Sequence, residues 1–294
     1  MKKTASFIVL FISVSASAQQ KNGAELNINE TGTRYSDTSA HVRVIDFKTH
    51  FPLYTLKGSQ FSGNFSYINE KFSDFPAAYG TDLNGLSAGL SWSRSLGQRH
   101  MLMITGDGGI YSDFVTWSSR SIRERGGFTY LTRYSERLSI GFGLEYRNQF
   151  YGNQISPVIF ILYTFRDNDH WKLSGVLPFN PKLTYQVNPG NGISLEVKQT
   201  YSSYLLTAAK DSGNYVRNRK LVAALNYEHP FARNWRFNAG IGYAARQGYE
   251  LYNNSTPREW YLINTPLGKK PVPIESISHR GIQFTAGLVF HPKF

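Results

Sequence analysis

Apolar residues recur at every second position along most of this chain, and that regularity limits the fold more than any other. In "RLSIGFGLEYR" one set is Leu138, Ile140, Phe142, Leu144 and Tyr146. The opposite set is Ser139, Gly141, Gly143, Glu145 and Arg147. "NWRFNAGIGYA" sets Trp235, Phe237, Ala239, Ile241 and Tyr243 against Arg236, Asn238, Gly240 and Gly242. "GLSAGLSWS" sets Leu86, Ala88, Leu90 and Trp92 against Ser87, Gly89, Ser91 and Ser93. Successive side chains of a strand point to opposite faces, so a period of two predicts strands with one apolar and one polar side. The fold class expected is all-β.

A water-soluble sandwich alternates too, so the second face has to discriminate. Here it is crowded with Gly and Ser, and Gly inside a strand is a liability unless packing requires it. Small polar groups suit the inside of a barrel, where opposing walls come close. Several apolar faces also end in Trp92, Tyr146, Trp235 or Tyr243, as aromatic girdles at two membrane interfaces would. No apolar run after residue 18 approaches the roughly 20 residues a spanning helix needs. Without helices, only a closed barrel satisfies every backbone group in lipid. Short turns are read at 57–60, 96–99, 135–137, 166–170, 188–191 and 229–234. Longer connections are read at 70–82, 113–127, 149–156, 207–218 and 247–279, and this alternation of lengths is that of a membrane barrel.

The expected architecture is a closed antiparallel up-and-down transmembrane barrel of about 14 strands, or about 12 if 170–188 is a rim hairpin. Pro178 and Pro181 interrupt that segment. "GIQFTAGLVFHPKF" gives a last strand with Ile282, Phe284, Ala286, Leu288 and Phe290 on one face and Phe294 at the end. Pro292 lacks a ladder donor and interrupts it. Too few residues precede the first strand for an N-terminal hatch.

Lys2, Lys3, the apolar "FIVLFISV" and the small "ASA" at 16–18 have the layout of an export signal, with residues 19–294 as the barrel domain. The chain has no Cys, so lipoprotein anchoring and thiolate chemistry are excluded. Residues 1–18 hold two lysines and no acid, so the formal charge of +12 becomes +10 without them.

The whole barrel segment resembles small outer-membrane β-barrel proteins of Gram-negative bacteria. In that class an aromatic C-terminus with apolar alternate positions is read by the barrel-assembly machinery, which implies that role for Phe294, Phe290 and Leu288. "WKLSGVLPFNPKLTY" and "GFGLEYRNQFYGNQISPVIFILYTF" are similar to outer-membrane barrel families of Bacteroidota that are domains of unknown function. The resemblance implies the bacterial outer membrane, with its lipids and lipopolysaccharide as surroundings, and no activity.

Candidate chemistry is sparse. His170 and Ser174 share a strand face beside Asp169, but four strand residues span ~13 Å, too far for proton transfer. Asp74, Asp82, Asp113 and His50 are the residues a rim protease could draw on, with nothing to set their spacing. There is no metal-ligand spacing, no phosphate loop and no compact basic face for nucleic acid, so no cofactor is expected. Basic residues carry more weight. Arg120, Arg123 and Arg125 lie in "DFVTWSSRSIRERGG", read as an outer loop that could fold into the lumen. Guanidiniums there would focus an anion-attracting field, joined by inward Arg147, Lys198 and Arg236. The reading is a passive pore for small polar or anionic solutes. Two alternatives stand beside it. One is a structural or partner-binding envelope barrel with a shut lumen, in which Glu145, Arg147, Glu196 and Lys198 pair across strands. The other is a rim hydrolase of lipid or peptide. The loop 247–278 is read as a lid or a partner surface. An oligomeric state is not legible in these residues.

Overall fold

The structure, a computed structural model, describes residues 23–35, 38–79, 82–165, 170–188, 190–208 and 213–292. Residues 1–18, read as an export signal, and Phe294 lie outside the described residues. Fourteen strands form the wall. They are β1 (Gly23–Tyr35), β2 (Thr38–Leu56), β3 (Ser59–Ser73), β4 (Asp82–Leu96), β5 (His100–Ser112), β6 (Ile122–Arg133) and β7 (Leu138–Gln149). There follow β8 (Gly152–Thr164), β9 (Trp171–Leu177), β10 (Lys182–Asn188), β11 (Asn191–Leu205), β12 (Tyr215–Ala232), β13 (Trp235–Tyr252) and, after a small hairpin of β14 (Glu259–Leu262) and β15 (Thr265–Pro266), β16 (Glu275–Phe290). Each wall strand pairs antiparallel with the next, and β16 returns to β1 in register from Ala24 opposite Phe290 to Thr31 opposite Gln283. The barrel is therefore closed. The hairpin at 170–188 is part of the wall, since Ile159 of β8 pairs with Leu177 of β9 and Leu183 of β10 with Leu195 of β11.

The alternation has the predicted sense. Phe142 is 59% exposed and Leu90 63%, and Ile104, Phe128, Leu195, Leu225, Ile241 and Phe284 are likewise on the outer surface. A soluble protein does not display a continuous apolar belt of this kind, whereas the outer face of a membrane barrel does. Trp92, Trp171, Tyr163 and Trp235 ring the end that carries the short turns, where Trp235 packs on Phe290 at 4.9 Å. Tyr67, Tyr146 and Tyr243 lie toward the opposite, loop end. The inward glycines have the packing reason the sequence demanded. A Cβ on Gly287 would sit 2.2 Å from Asn27 Oδ1 and 2.4 Å from Asn238 Oδ1, so the strand that closes the barrel keeps its inner face bare for its neighbours' amides.

Several connections differ from expectation, among them 207–218 and 247–279, into which β12, β13 and β16 extend. Residues 149–156 are no long loop: β7 and β8 meet through Phe150 and Tyr151 alone, and β8 continues with Gln154 and Ser156 facing in. The connection after β5 ends at Ser121, and Arg123 and Arg125 belong to β6 rather than to a loop. The outward Glu124 had masked that alternation.

At the loop end the wall divides. Beyond Gln283, β16 leaves β1 and stays with β13 alone. Beyond Glu196, β11 loses its β10 ladder, with Val197 and Gln199 donating instead to the carbonyls of Pro181 and Phe179. Ala245 is an extra, unpaired residue in β13, a bulge of the kind that bends a strand. From there the ends of β11, β12, β13 and β16 lean across the lumen as a plug sheet. Leu205 at the tip of β11 pairs in parallel with Ser112 of β5, on the far side of the barrel. One face of the plug buries Tyr204, Leu206, Val216, Tyr249, Leu251 and Ile277 against Val42, Val44, Phe72 and Leu83 of the wall and Tyr79 of the connection between β3 and β4. Each such side chain contributes roughly 1.5–3 kcal/mol. The other face packs Leu205, Tyr215 and Tyr252 on Phe150, Tyr151 and Tyr261. Tyr261 belongs to β14, which pairs in parallel with β8 from Gly152 to Ile155 and fills the wall beside it. The strands themselves thus obstruct the bore.

Candidate functional site

Below the plug one part of the lumen is filled by a buried apolar cluster that includes Met101, Leu131, Val158 and Phe160, and the remainder is polar. Arg125 and Lys198 point inward yet are exposed, which requires water around them. Most cations here stand beside acids. Arg125 Nε is 2.7 Å from Asp107, Arg147 is 2.7 Å from Glu145, and Lys182 is 2.8 Å from Glu228. Arg236 lies 3.8 Å from Glu228, and Lys48 pairs with Asp46. Of the sequence candidates, Arg125, Arg147, Lys198 and Arg236 do face the bore. Arg125, Arg147 and Arg236 have their charge compensated by a carboxylate close by. This polar part of the lumen is solvated and has a mixed lining.

One acid of β3 takes hydrogen bonds from three plug strands. Glu70, on the inner face of β3, is 2% exposed. Its carboxylate accepts from Tyr204 Oη of β11 (2.8 Å), from Asn218 Nδ2 of β12 (2.9 and 2.7 Å) and from Tyr249 Oη of β13 (2.9 Å). Three plug strands thus converge on one wall residue. Sequence reading missed it, although Glu70 follows Ser66 and Ile68 and precedes Phe72 on one strand face, and a lone acid among apolar inward positions is the signal that could have marked it.

The plug's other face is tied to the β14–β15 hairpin. Glu250 pairs with Arg219 and, at 3.8 Å, with Arg217, and it accepts from Tyr252 Oη at 2.9 Å. The Arg217 guanidinium bonds Asn264 and lies over the rings of Tyr151 (4.3 Å) and Tyr261 (4.9 Å). So part of the loop read as a lid or partner surface is built into the wall.

Arg120 and Arg123 meet elsewhere, at the loop end, where the plug abuts the wall. They line a cavity of about 190 Å³ with Phe150, Tyr215, Asn254 and Arg258. Arg123 stacks on Phe150 with its guanidinium carbon 3.1 Å from the ring centroid, and Phe150 stacks in turn on Tyr215. Nε and Nη2 of Arg123 are buried without a hydrogen-bond partner among the described residues. Among the described residues no carboxylate lines the cavity. A single turn of 3-10 helix at Ser119–Ser121, capped by the Ser118 hydroxyl, presents Arg120. That connection is stitched to the plug, because Asp113 accepts from the amides of Thr207 (2.9 Å) and Ala208 (3.2 Å). Arg125 is not part of this group. Arg258 was not anticipated, since nothing in "STPREW" places it near residue 120.

The catalytic candidates do not assemble. His170 is at the turn end, with Nδ1 2.7 Å from the carbonyl of Gln186, while Asp74, Asp82 and Asp113 are at the loop end. His50 belongs to the part of β2 nearer the turns, and Asp169 lies outside the described residues. No group of three potential metal ligands occurs among the described residues. Leu288 and Phe290 lie on the outer face of β16, opposite Leu26 and Ala24 of β1.

Solved structures similar to this chain include an outer membrane channel from Pseudomonas putida F1, at a TM-score of 0.44 and 10% identity over 92% of this chain and 95% of that one. Another is the NanC porin, at 0.41 and 8% identity over 90% and 98%. A third is the translocator domain of the autotransporter NalP from Neisseria meningitidis, at 0.36 and 11% identity over 100% and 98%. None of the curated proteins compared with it matches. Residues 24–260 match one family model, so the chain belongs to the family described as Domain of unknown function (DUF6268).

Proposed function

We propose that the protein is a channel of the bacterial outer membrane for small polar or anionic solutes, shut by the plug sheet in the conformation described. The observation that carries this reading is the polar part of the lumen. Arg125 and Lys198 face inward and remain exposed there, which supports a solute path between the turn end and the plug, past the apolar cluster around Leu131 and Phe160. What separates that part of the lumen from the loop end is a sheet hydrogen-bonded to β3 through Glu70. Arg120 and Arg123, with Arg258, supply positive charge at the outer side of the plug, with no acid beside it in the cavity lining among the described residues. The apolar belt supports a setting among outer-membrane lipids and lipopolysaccharide. Phe290, Leu288 and Phe294 form the segment that the assembly machinery would engage.

A second reading has its own support. The plug is packed on both faces, which suits a structural or partner-binding barrel that never opens. Planar-bilayer recording of the refolded protein separates the two. The channel reading expects single-channel steps with anion preference, brief in the native protein and prolonged when Glu70 is replaced. Silence from both folded proteins would discard the channel and leave the structural barrel. Hydrolysis of phospholipid or peptide, abolished by His170→Ala, would instead revive the rim enzyme.

A further inference from the structure

We propose that the cavity between plug and wall is a binding site for a phosphate-bearing anion, and that its occupancy holds the plug shut. The binding claim stands on the cavity alone; the effect on gating rests on the channel reading above.

Three guanidiniums, from Arg120, Arg123 and Arg258, surround a space with no acid in its lining among the described residues. Like charges brought together without a counter-ion repel, and partly buried ones are screened weakly. The ring face of Arg123 is covered by Phe150, so its remaining recognition surface is its N–H edge. Two of those nitrogens are buried and unpartnered, a condition that costs free energy until an acceptor arrives. A guanidinium edge matches a tetrahedral oxyanion through paired N–H donors, and three cations favour a dianion over a monoanion. Asn254 and Thr256 add uncharged polar groups, and about 190 Å³ accommodates a phosphate with a small substituent.

The position of the cavity gives binding a consequence. Arg123 belongs to wall strand β6, and Arg120 to the connection that precedes it. Leu205 and Tyr215 belong to the plug, and Asn254, Thr256 and Arg258 to the last loop. The site is whole only while plug and wall are together. A ligand that binds one state and not the other shifts the equilibrium toward it. At a phosphate concentration a hundred times Kd the ratio of shut to open barrels rises about a hundredfold. The phosphate could come from a free phosphorylated solute or from the headgroup of neighbouring lipopolysaccharide, and the chemistry of capture is the same.

Calorimetric titration of the refolded barrel in detergent, with inorganic phosphate at constant chloride, tests the site. A second arm uses lipopolysaccharide and its dephosphorylated form. Saturable binding of one phosphate is expected, weakened at least tenfold in Arg123→Gln/Arg258→Gln. Thr256→Glu, which leaves every arginine in place, should weaken it similarly, and heat-dependent gel mobility shows whether each variant is folded. Binding of phosphorylated lipopolysaccharide alone would assign the lipid as the source. No saturable binding in either arm, or binding indifferent to both variants, overturns the site. In bilayers, phosphate on the loop side should suppress openings. If phosphate binds while openings persist undiminished, the site stands and its role in closure is refuted.

Discussion

Replacing Glu70 with Ala should release the plug. In the shut state the Glu70 carboxylate takes hydrogen bonds from Tyr204, Asn218 and Tyr249, all buried. Removing it orphans two phenol hydroxyls and one amide in a site that water does not reach. An unsatisfied buried donor costs about 1–3 kcal/mol, so the three together cost about 3 kcal/mol at the low end. Tyr249 keeps a link to Gln247 at 2.9 Å, which is why the low end is used. Two opposing effects need weighing. A carboxylate buried when the plug closes is desolvated, and its loss relieves that penalty. Four accepted bonds offset the penalty in the native protein, and the orphaned donors persist in the variant, so the balance favours opening. At about 1.4 kcal/mol per factor of ten, the shut-to-open ratio falls roughly a hundredfold. The assay is open probability in planar bilayers, with gel mobility confirming a folded barrel. A Glu70→Ala barrel that folds and stays as silent as the native one would refute the latch. Glu70→Gln should fall between, since it retains one acceptor oxygen but turns an N–H₂ toward existing donors.

Other substitutions probe other joints. Arg217→Ala removes the Asn264 bond and the guanidinium lying over Tyr151 and Tyr261, while Arg219 still pairs with Glu250. A loss of about 2 kcal/mol, in the range of a desolvated cation–π contact, should speed hydrogen exchange at 259–266 roughly thirtyfold; unchanged exchange would mean the hairpin is held by β8 alone. Phe142→Arg puts a charge in the outer belt and should destabilise the barrel in lipid vesicles by about 2–4 kcal/mol. A neutral or stabilising effect in urea titration would show that this face meets water. Gly287→Val drives a side chain into Asn27, Asn238 and, at 2.8 Å, the carbonyl of Leu26, which cannot swing aside. A cost of about 1–3 kcal/mol is expected as a lower unfolding midpoint, and no change would mean that β16 has slack against β1.

The outer wall was legible because each of its strands obeys one local rule. Phe142 and Gly143 declare their sides by parity alone, and parity survives wherever lipid covers one face and water the other. The plug was not legible, because it breaks the premise that outward parity means a lipid environment. Arg217 and Arg219 have outward parity on β12, as Leu225 does. Yet Arg217 is buried, because that part of the strand has left the wall and another segment covers it. The sequence carries a trace of the departure: the apolar series Tyr227, Leu225, Ala223, Leu221 gives way to Arg219 and Arg217, and the β13 series gives way to Arg246 and Glu250. Charges on the lipid side of a barrel strand mark one of two events, the edge of the bilayer or a strand turning inward. Length alone does not separate them, because β2 has 19 residues and an outward Arg43 beside Glu30 of β1, yet both stay exposed on the wall. On β12 and β13, each of 18 residues, the charges at outward parity are more numerous, Arg217, Arg219, Arg246 and Glu250, and Arg217 and Glu250 are buried. Density of charge at outward parity on neighbouring strands is therefore the trace of ends that turn inward, and β11 and β16 bend with them because they pair with β12 and β13 along that length.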